Sequence, residues 1–443
     1  MTVRVRFAPS PTGHLHVGNI FVALHNWLFA RKESGEFLLR FDDTDLLRSS
    51  AEFADEIRKD LRWVGLVWDR EVSQSQRIAV YDAAAARLKK SERLYPCYET
   101  AEELALKRQA QLQSGRAPVY DRAALALSAS DRAKLEAEGR LPHWRFRLDL
   151  GEVRWIDMVR GPQHIDEASQ SDPVLIREDG TYLYTLPSVV DDIDLGVTHV
   201  IRGADHVTNT GAQIQIFEAL GGPVPRFGHL PLLKGKGGEE LSKRIGTMSI
   251  GELRTAGIEP LALASYLARL GTGDPMKPVH SWDELIPEHN LGKLGSASPH
   301  FDRDELAQIN ARLLHETDFK EVAARVGSDS VDERLWNAVR GNLEKLADIE
   351  LWAKICHGEI LTRADDVDLT RIAAAELPPE PWNEETWKNW TGAVTSATGK
   401  KGKALFQPLR QALTGLDHGP EMRLLLPLIG RARASARLLR GKG

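Results

Sequence analysis

The sequence predicts a doubly wound, parallel α/β domain interrupted by an insertion and followed by an all-helical half. Three observations carry this: a strand–loop–helix unit at the N-terminus, a return of strand–helix alternation near Val197, and helical patterning beyond Gly246. In the first unit Val3, Val5 and Phe7 alternate with Arg4 and Arg6, the period of a strand. Pro9, Pro11 and Gly13 then shape a tight loop, and Phe21, Leu24, Trp27 and Leu28 recur at helical spacing until the pattern fades near Gly35. Phe37–Phe41 is a second apolar run, closed by Asp42, Asp43 and Asp45. A second helix carries Phe53, Ile57, Leu61 and Val64 on one face. Residues 81–149 hold an Ala-, Lys- and Glu-rich helical stretch, after which Trp144, Phe146 and Leu148 alternate with arginines. Strand-like pieces continue to Thr181–Tyr184, and this stretch reads as the insertion. The sheet resumes at Val197–Arg202, with a helix near Ala212–Leu220 and a strand near Arg226–Leu233. Pro378, Pro379 and Pro381 mark a boundary inside the helical half.

The chain has 443 residues, enough for about three domains, and its 42% hydrophobic and 27% charged residues are those of an ordinary globular protein. No apolar stretch approaches the ~20 residues of a spanning helix, and MTVRVRFAPSPTG lacks an apolar signal core. Cys97 and Cys356 are too few for a disulfide framework or a four-cysteine zinc site. The expectation is a cytoplasmic protein with no membrane partner. The net charge of −5 is unevenly spread: residues 399–443 carry ten Lys or Arg against Asp417 and Glu421, which suits either a polyanionic partner or a solvated helix face.

Two loops carry chemistry. PSPTGHLHVG (Pro9–Gly18) joins the first strand to the first helix, where backbone N–H groups and the helix dipole favour phosphate. His16 there can donate to a phosphate oxygen. GGEELSKRIG (Gly237–Gly246) is a Gly-rich loop whose Lys243 can close over a triphosphate and neutralise charge as it is cleaved.

Together, RFAPSPTGHLHVGN and LSKR resemble the two signature motifs of class I aminoacyl-tRNA synthetases, and within that class the chain resembles the bacterial-type glutamyl-tRNA synthetases. RFAPSPTG, WLFAR, LRFDDTD, VVDD, GVTHVIRGAD, GHLPLL and LSKR stand in that family's order, and QPLRQALTG (Gln407–Gly415) resembles the last segment of its anticodon-binding region. The resemblance implies a Rossmann-type catalytic domain in two parts, 1–82 and 187–247, with an inserted acceptor-binding domain at 83–186. A helical stem-contact domain at 248–315 and a helical anticodon-binding region at 316–443 would follow. The implied function is ATP-dependent attachment of L-glutamate to the 3′ end of tRNA-Glu through glutamyl-adenylate by a monomer, with tRNA-Gln left open as a second partner. The alternative is a non-catalytic or altered-specificity tRNA-binding paralogue, to which Asp42, Ser188 and Glu240 point.

By the same resemblance, Arg6 and Arg202 hold the two carboxylates of glutamate, a task that suits the planar fork of arginine. Ala8, Ser10, Tyr184 and Ser188 line the same pocket, and Asp42 takes the ammonium. Asp42 stands where the family has glutamate, and Ser188 where many relatives have asparagine. His16, Gly18, Asp205, Leu233, Ser242, Lys243 and Arg244 are the ATP-binding candidates, with His16 and Lys243 catalytic. Asn19 replaces the last histidine of the first signature, and Glu240 the first lysine of the second. ATP is expected with Mg2+ as a substrate complex. Zinc is not expected, because Glu99 and Ala124 replace two cysteines of the C-x-C…Y-x-x-x-C pattern that some relatives carry.

Overall fold

The computed structural model describes residues 2–45, 47–239, 249–327, 330–362 and 366–440. They divide into two compact units: Met1–Leu253 with Ala264–Met276 and Ser281–Asp302, and Arg254–Leu263 with Lys277–His280 and Arg303–Gly443.

In the first unit, β1 (Arg4–Phe7), α1 (Val17–Lys32), β2 (Glu36–Phe41), α2 (Ala51–Val64) and β3 (Arg70–Ser73) build a parallel sheet in the order β1-β2-β3, with Arg4 opposite Glu36 and Leu38 opposite Arg70. Helix α1 has no single apolar face, because Val17, Ile20, Phe21, Ala23, Leu24, Trp27, Leu28 and Ala30 are buried around it. Helix α2 ends at Gly65, whose φ of +96° is left-handed; a Cβ there would sit 2.9 Å from the Trp282 ring. After α3 (Ile78–Lys90) comes the insertion: β4 (Leu94–Cys97), α4 (Ala101–Gln113), α5 (Ala129–Ala137), β5 (His143–Phe146), β6 (Glu152–Asp157), β7 (Gly161–Asp166) and β8 (Val174–Ile176). It is antiparallel, as a β4-β5-β8 sheet and a β6–β7 hairpin.

Helix α6 (Thr185–Asp194) returns the chain to the parallel part, where β9 (His199–Gly203), α7 (Val207–Ala219) and β10 (Arg226–Leu230) follow and β10 pairs with β9. Strands β1 and β9 lie side by side: the Thr198 N–H donates to the Arg4 carbonyl at 2.9 Å, and the Arg4 N–H to Thr198 Oγ1 at 2.8 Å. The strand order is therefore 3-2-1-9-10, with the switch of direction between β1 and β9. Beyond it come β11 (Lys234–Gly235), α8 (Ile250–Thr255), α9 (Pro260–Arg269), α10 (Trp282–Glu288) and β12 (His300–Phe301), with β11 and β12 parallel.

Three expectations shift. Thr181–Tyr184 forms an isolated bridge between Ile176 and Tyr182, because Tyr184 already has helical dihedral angles at the start of α6. Helix α7 begins five residues before Ala212, its first turns hidden from a hydrophobic count by polar residues that include the buried Thr210. Strand β10 stops at Leu230, where Pro231 has no N–H to continue the ladder.

The second unit continues with α11 (Arg303–Glu316), α12 (Phe319–Val322), α13 (Glu333–Val339), α14 (Ile349–His357), α15 (Val367–Ala375), α16 (Glu384–Thr398), α17 (Lys403–Thr414), α18 (Met422–Ile429) and α19 (Arg431–Leu439). Its core gathers Leu335, Trp336, Val339, Trp390, Leu409, Leu413, Leu425 and Leu426. The two buried indoles keep their N–H groups satisfied, Trp336 on the Thr317 carbonyl at 3.0 Å and Trp390 on the Ala373 carbonyl at 2.8 Å. Part of the basic end is structural: buried Arg437 donates to the carbonyls of Leu413, Ile355 and Gly358. Lys401, Lys403, Arg431 and Arg433 are exposed. No helix among the described residues is long and apolar enough to cross a membrane.

Candidate active site

A cavity of about 600 Å³ opens at the carboxyl ends of β1 and β9, the switch point at which doubly wound sheets bind ligands. Arg6, Ala8, Ser10, His16, Gly18, Tyr184, Arg202, Asp205 and Leu233 all line it. Arg6 and Arg202, 196 positions apart in the sequence, meet here because β1 and β9 are neighbours.

His16 caps the N-terminus of α1. Its Nδ1 accepts from the Gly18 N–H at 3.1 Å, while its own backbone N–H donates to Asn19 Oδ1 at 3.0 Å. That places the ring proton on Nε2, and burial lowers the pKa of the imidazole, keeping it neutral. Asn19 thus closes a reciprocal capping box.

Arg202, on β9, is buried. Its Nε donates to His229 Nε2 at 3.2 Å, its Nη1 to Tyr184 Oη at 3.2 Å, and its Nη2 to Thr210 Oγ1 at 2.9 Å and the His206 carbonyl at 3.3 Å. All four acceptors are neutral, and burial lowers its pKa. The guanidinium is therefore fixed in place with no carboxylate on its N–H groups among the described residues. Arg6 differs, since its Nε meets Asp192 at 3.2 Å. Among the described residues Asp205 is the one carboxylate lining the cavity, against Arg6, Arg202 and Lys234. The cavity is electropositive and suits anions.

Asp42 and Ser188 do not line it. Both Asp42 oxygens accept from Arg40, at 2.7 Å from Nε and 3.2 Å from Nη2. Ser188 gives Arg40 its hydroxyl at 3.1 Å and its carbonyl at 3.4 Å, and Asp192 accepts from Arg40 Nη1 at 2.9 Å and also pairs with Arg6. The two residues thus stand behind the cavity wall, in the buried network that holds Arg6. Glu240, Ser242, Lys243 and Arg244 lie outside the described residues. Cys97 is buried with its Sγ 3.7 Å from Tyr120 Oη, and among the described residues no group of three His, Cys, Asp or Glu is arranged to hold a metal.

Residues 2–308 match the model for the catalytic domain of the class I tRNA synthetases (E and Q), and residues 359–442 match an anticodon-binding domain. The chain belongs to this class I synthetase family. It is similar to glutamate–tRNA ligase 2 of Beijerinckia indica, 56% identical over 440 residues, and to glutamate–tRNA ligase 1 of Parvibaculum lavamentivorans, 57% identical over 438 residues, with 98% of each chain covered in both cases. A crystal structure of a glutamate–tRNA ligase from Elizabethkingia meningosepticum, in complex with its amino acid, superposes with a TM-score of 0.85 at 27% identity, covering 99% of this chain and 98% of that one.

The structure brings to the site residues that motif reading passes over. Asp192 lies in VVDD and His229 in GHLPLL, both inside quoted motifs, yet nothing in the string says that they face Arg6 and Arg202. Lys234, His206 and Ser298 also line the cavity.

Proposed function

We propose that this synthetase attaches L-glutamate to the 3′ end of tRNA-Glu in two ATP-dependent steps. The observation that carries the amino-acid choice is Arg202, a buried cation held by four neutral acceptors and open to the cavity. A substrate carboxylate supplies the missing anion, whereas an uncharged amide of the same length leaves the charge buried and unpaired. Arg6 serves the second carboxylate. Asp42, behind the cavity wall with both oxygens on Arg40, positions the Arg40–Asp192 network that holds Arg6.

ATP enters as its magnesium complex and is a substrate, with its phosphates at the N-terminus of α1. His16 donates from Nε2 to a phosphate oxygen, Gly18 lets the chain approach closely, Asp205 accepts from the ribose hydroxyls, and the Leu233 backbone meets the adenine edge. Lys243 neutralises the departing pyrophosphate, with Ser242 and Arg244 in support. The α-carboxylate of glutamate attacks the α-phosphorus in line, the bond to the pyrophosphate oxygen breaks, and glutamyl-adenylate forms. A ribose hydroxyl of the terminal adenosine then attacks the acyl carbon, loses its proton, and releases AMP. Both reactants of the first step are anions, so positioning and charge neutralisation dominate and no enzyme nucleophile is needed.

The helical second unit binds the tRNA, and the protein works as a cytoplasmic monomer. Labelled glutamate, ATP and purified tRNA-Glu or tRNA-Gln test the reading. Acid-precipitable label on tRNA-Glu is the expected result, with the tRNA-Gln arm defining the breadth of substrate. Tight tRNA binding without charging of either would overturn it in favour of a non-catalytic paralogue.

A further inference from the structure

We infer that Asp157 and His229 are positioning residues for the amino-acid pocket: Asp157 holds His229 as its Nδ1–H tautomer, so that Nε2 accepts from Arg202 and fixes the guanidinium against a substrate carboxylate. The inference rests on glutamate being the substrate.

Asp157 ends β6, inside the insertion, and His229 lies on β10; both are buried. Asp157 Oδ1 accepts from the backbone N–H groups of His229, Val159 and Arg160 at 3.1, 3.0 and 3.0 Å, and Oδ2 meets His229 Nδ1 at 2.5 Å. A carboxylate with four donors is an obligate acceptor. Burial pushes Asp157 up, but the bonds from His229 and from the three amides outweigh it and hold it at about 2. The ring proton of His229 therefore sits on Nδ1.

The other ring nitrogen is then a lone pair. It faces Arg202 Nε at 3.2 Å and Thr210 Oγ1 at 3.1 Å. Burial lowers the pKa of His229 in spite of Asp157, and the Arg202 cation lowers it further, which keeps the ring neutral. The arrangement solves a specific problem. Arg202, unlike Arg6 with its Asp192 partner, is held rigidly without a carboxylate on its Nε. A protein carboxylate on Nε would compete with the ligand, whereas a neutral imidazole aligns the fork and leaves its charge available. Asp157 supplies the orientation at one remove, its own charge spent on the hairpin turn and the ring. Four of the five N–H groups of Arg202 are thereby directed, and one on Nη1 remains for the cavity.

Asp157→Asn separates this role from packing. Its amide oxygen keeps the three backbone bonds, while its NH2 donates to Nδ1, moves the ring proton to Nε2, and points an N–H at the Arg202 N–H. In 15N NMR of the histidine-labelled protein, His229 should read as the Nδ1–H tautomer in the wild type and as Nε2–H in Asp157→Asn. The glutamate KM should rise at least tenfold in the variant, with kcat and the ATP KM changing far less. Adding His229→Gln, whose amide oxygen can face Arg202 whatever stands at 157, should recover part of the lost affinity; a merely structural pair would lose more. A tautomer flip with unchanged glutamate KM, or an Nε2–H ring already in the wild type, overturns the inference. If the wild type activates no glutamate, the substrate reading fails instead, while the tautomer measurement still reports on the Asp157–His229 bond.

Discussion

Arg6, Arg40, Asp191, Asp192 and Arg202 are all buried within the first unit, whereas the buried charged residues of the second, among those described, are Arg437 and Glu259. Burying ion pairs gains little net stability, because desolvation offsets the attraction. The helical unit follows the cheaper route, with apolar packing around Trp336 and Trp390. The sheet unit tolerates the cost at the edge of its cavity, where fixed charges have to be oriented before a charged substrate arrives. The contrast separates residues that hold the chain together from residues that hold a field in place.

The contrast breaks most visibly by two substitutions of similar size and opposite meaning. Trp336→Ala should cost about 3–5 kcal/mol in chemical denaturation and leave the glutamate KM of the folded fraction unchanged. Arg40→Leu should cost a similar ~3–5 kcal/mol, because Asp42 and Asp192 lose a buried partner, but it should also raise the glutamate KM. Equal kinetics for the two would erase the distinction.

Next in size is Lys243→Ala, expected to slow single-turnover activation by roughly 10²-fold, the loss of one charge-stabilising donor, with a smaller change in ATP KM. Lys236, exposed and paired with Asp302 at 2.8 Å, is the control, and Lys236→Ala should behave like wild type. Matching rates for the two variants would remove Lys243 from the triphosphate site.

Glu167 tests a buried charge with no partner. Both its oxygens are buried without a hydrogen bond to any described residue, and a Cβ on Gly211 would sit 1.9 Å from Oε1, so the carboxyl is packed against α7. Burial, and then Asp166 and Asp172, push it from an ordinary 4.5 up to about 7. The folded state therefore holds the proton more tightly than the unfolded state, and stability is lost as pH rises from 4.5 to 7. Glu167→Gln should remove that slope, gaining about 1–3 kcal/mol at pH 8 and little at pH 4. A gain equal at both pH values would mean that the carboxyl is not the source.

Arg202→Ala should raise the glutamate KM tenfold or more, at about 1.4 kcal/mol per factor of ten, with ATP binding little altered. An unchanged KM takes Arg202 out of the pocket.

Much of this was legible in the string. Alternation at Val3–Phe7 and helical spacing at Phe21–Leu28 are local signals, and β1 and α1 fall there. Motif resemblance placed Arg6, His16, Arg202 and Asp205 around one cavity. What stayed hidden was pairing across distance. Asp157 and His229 are 72 positions apart, and Arg6 and Asp192 are 186 apart, so no local pattern announces them. Asp42 reads as a free acid after β2, yet Arg40, two residues earlier, folds back and takes both its oxygens.

The junction of β1 with β9 joins residues 194 positions apart, and it has a consequence for synthesis. At ~5–20 residues per second, the ribosome needs on the order of 10 s or more to travel from Arg4 to Thr198. During that interval β1 has β2 on one side and an open row of backbone groups on the other, a template for pairing with the wrong chain. The antiparallel insertion, made of nearer contacts, can fold while the first strand waits. The nascent protein should therefore depend on a chaperone, or on slow emergence, most between the completion of β3 and the arrival of β9.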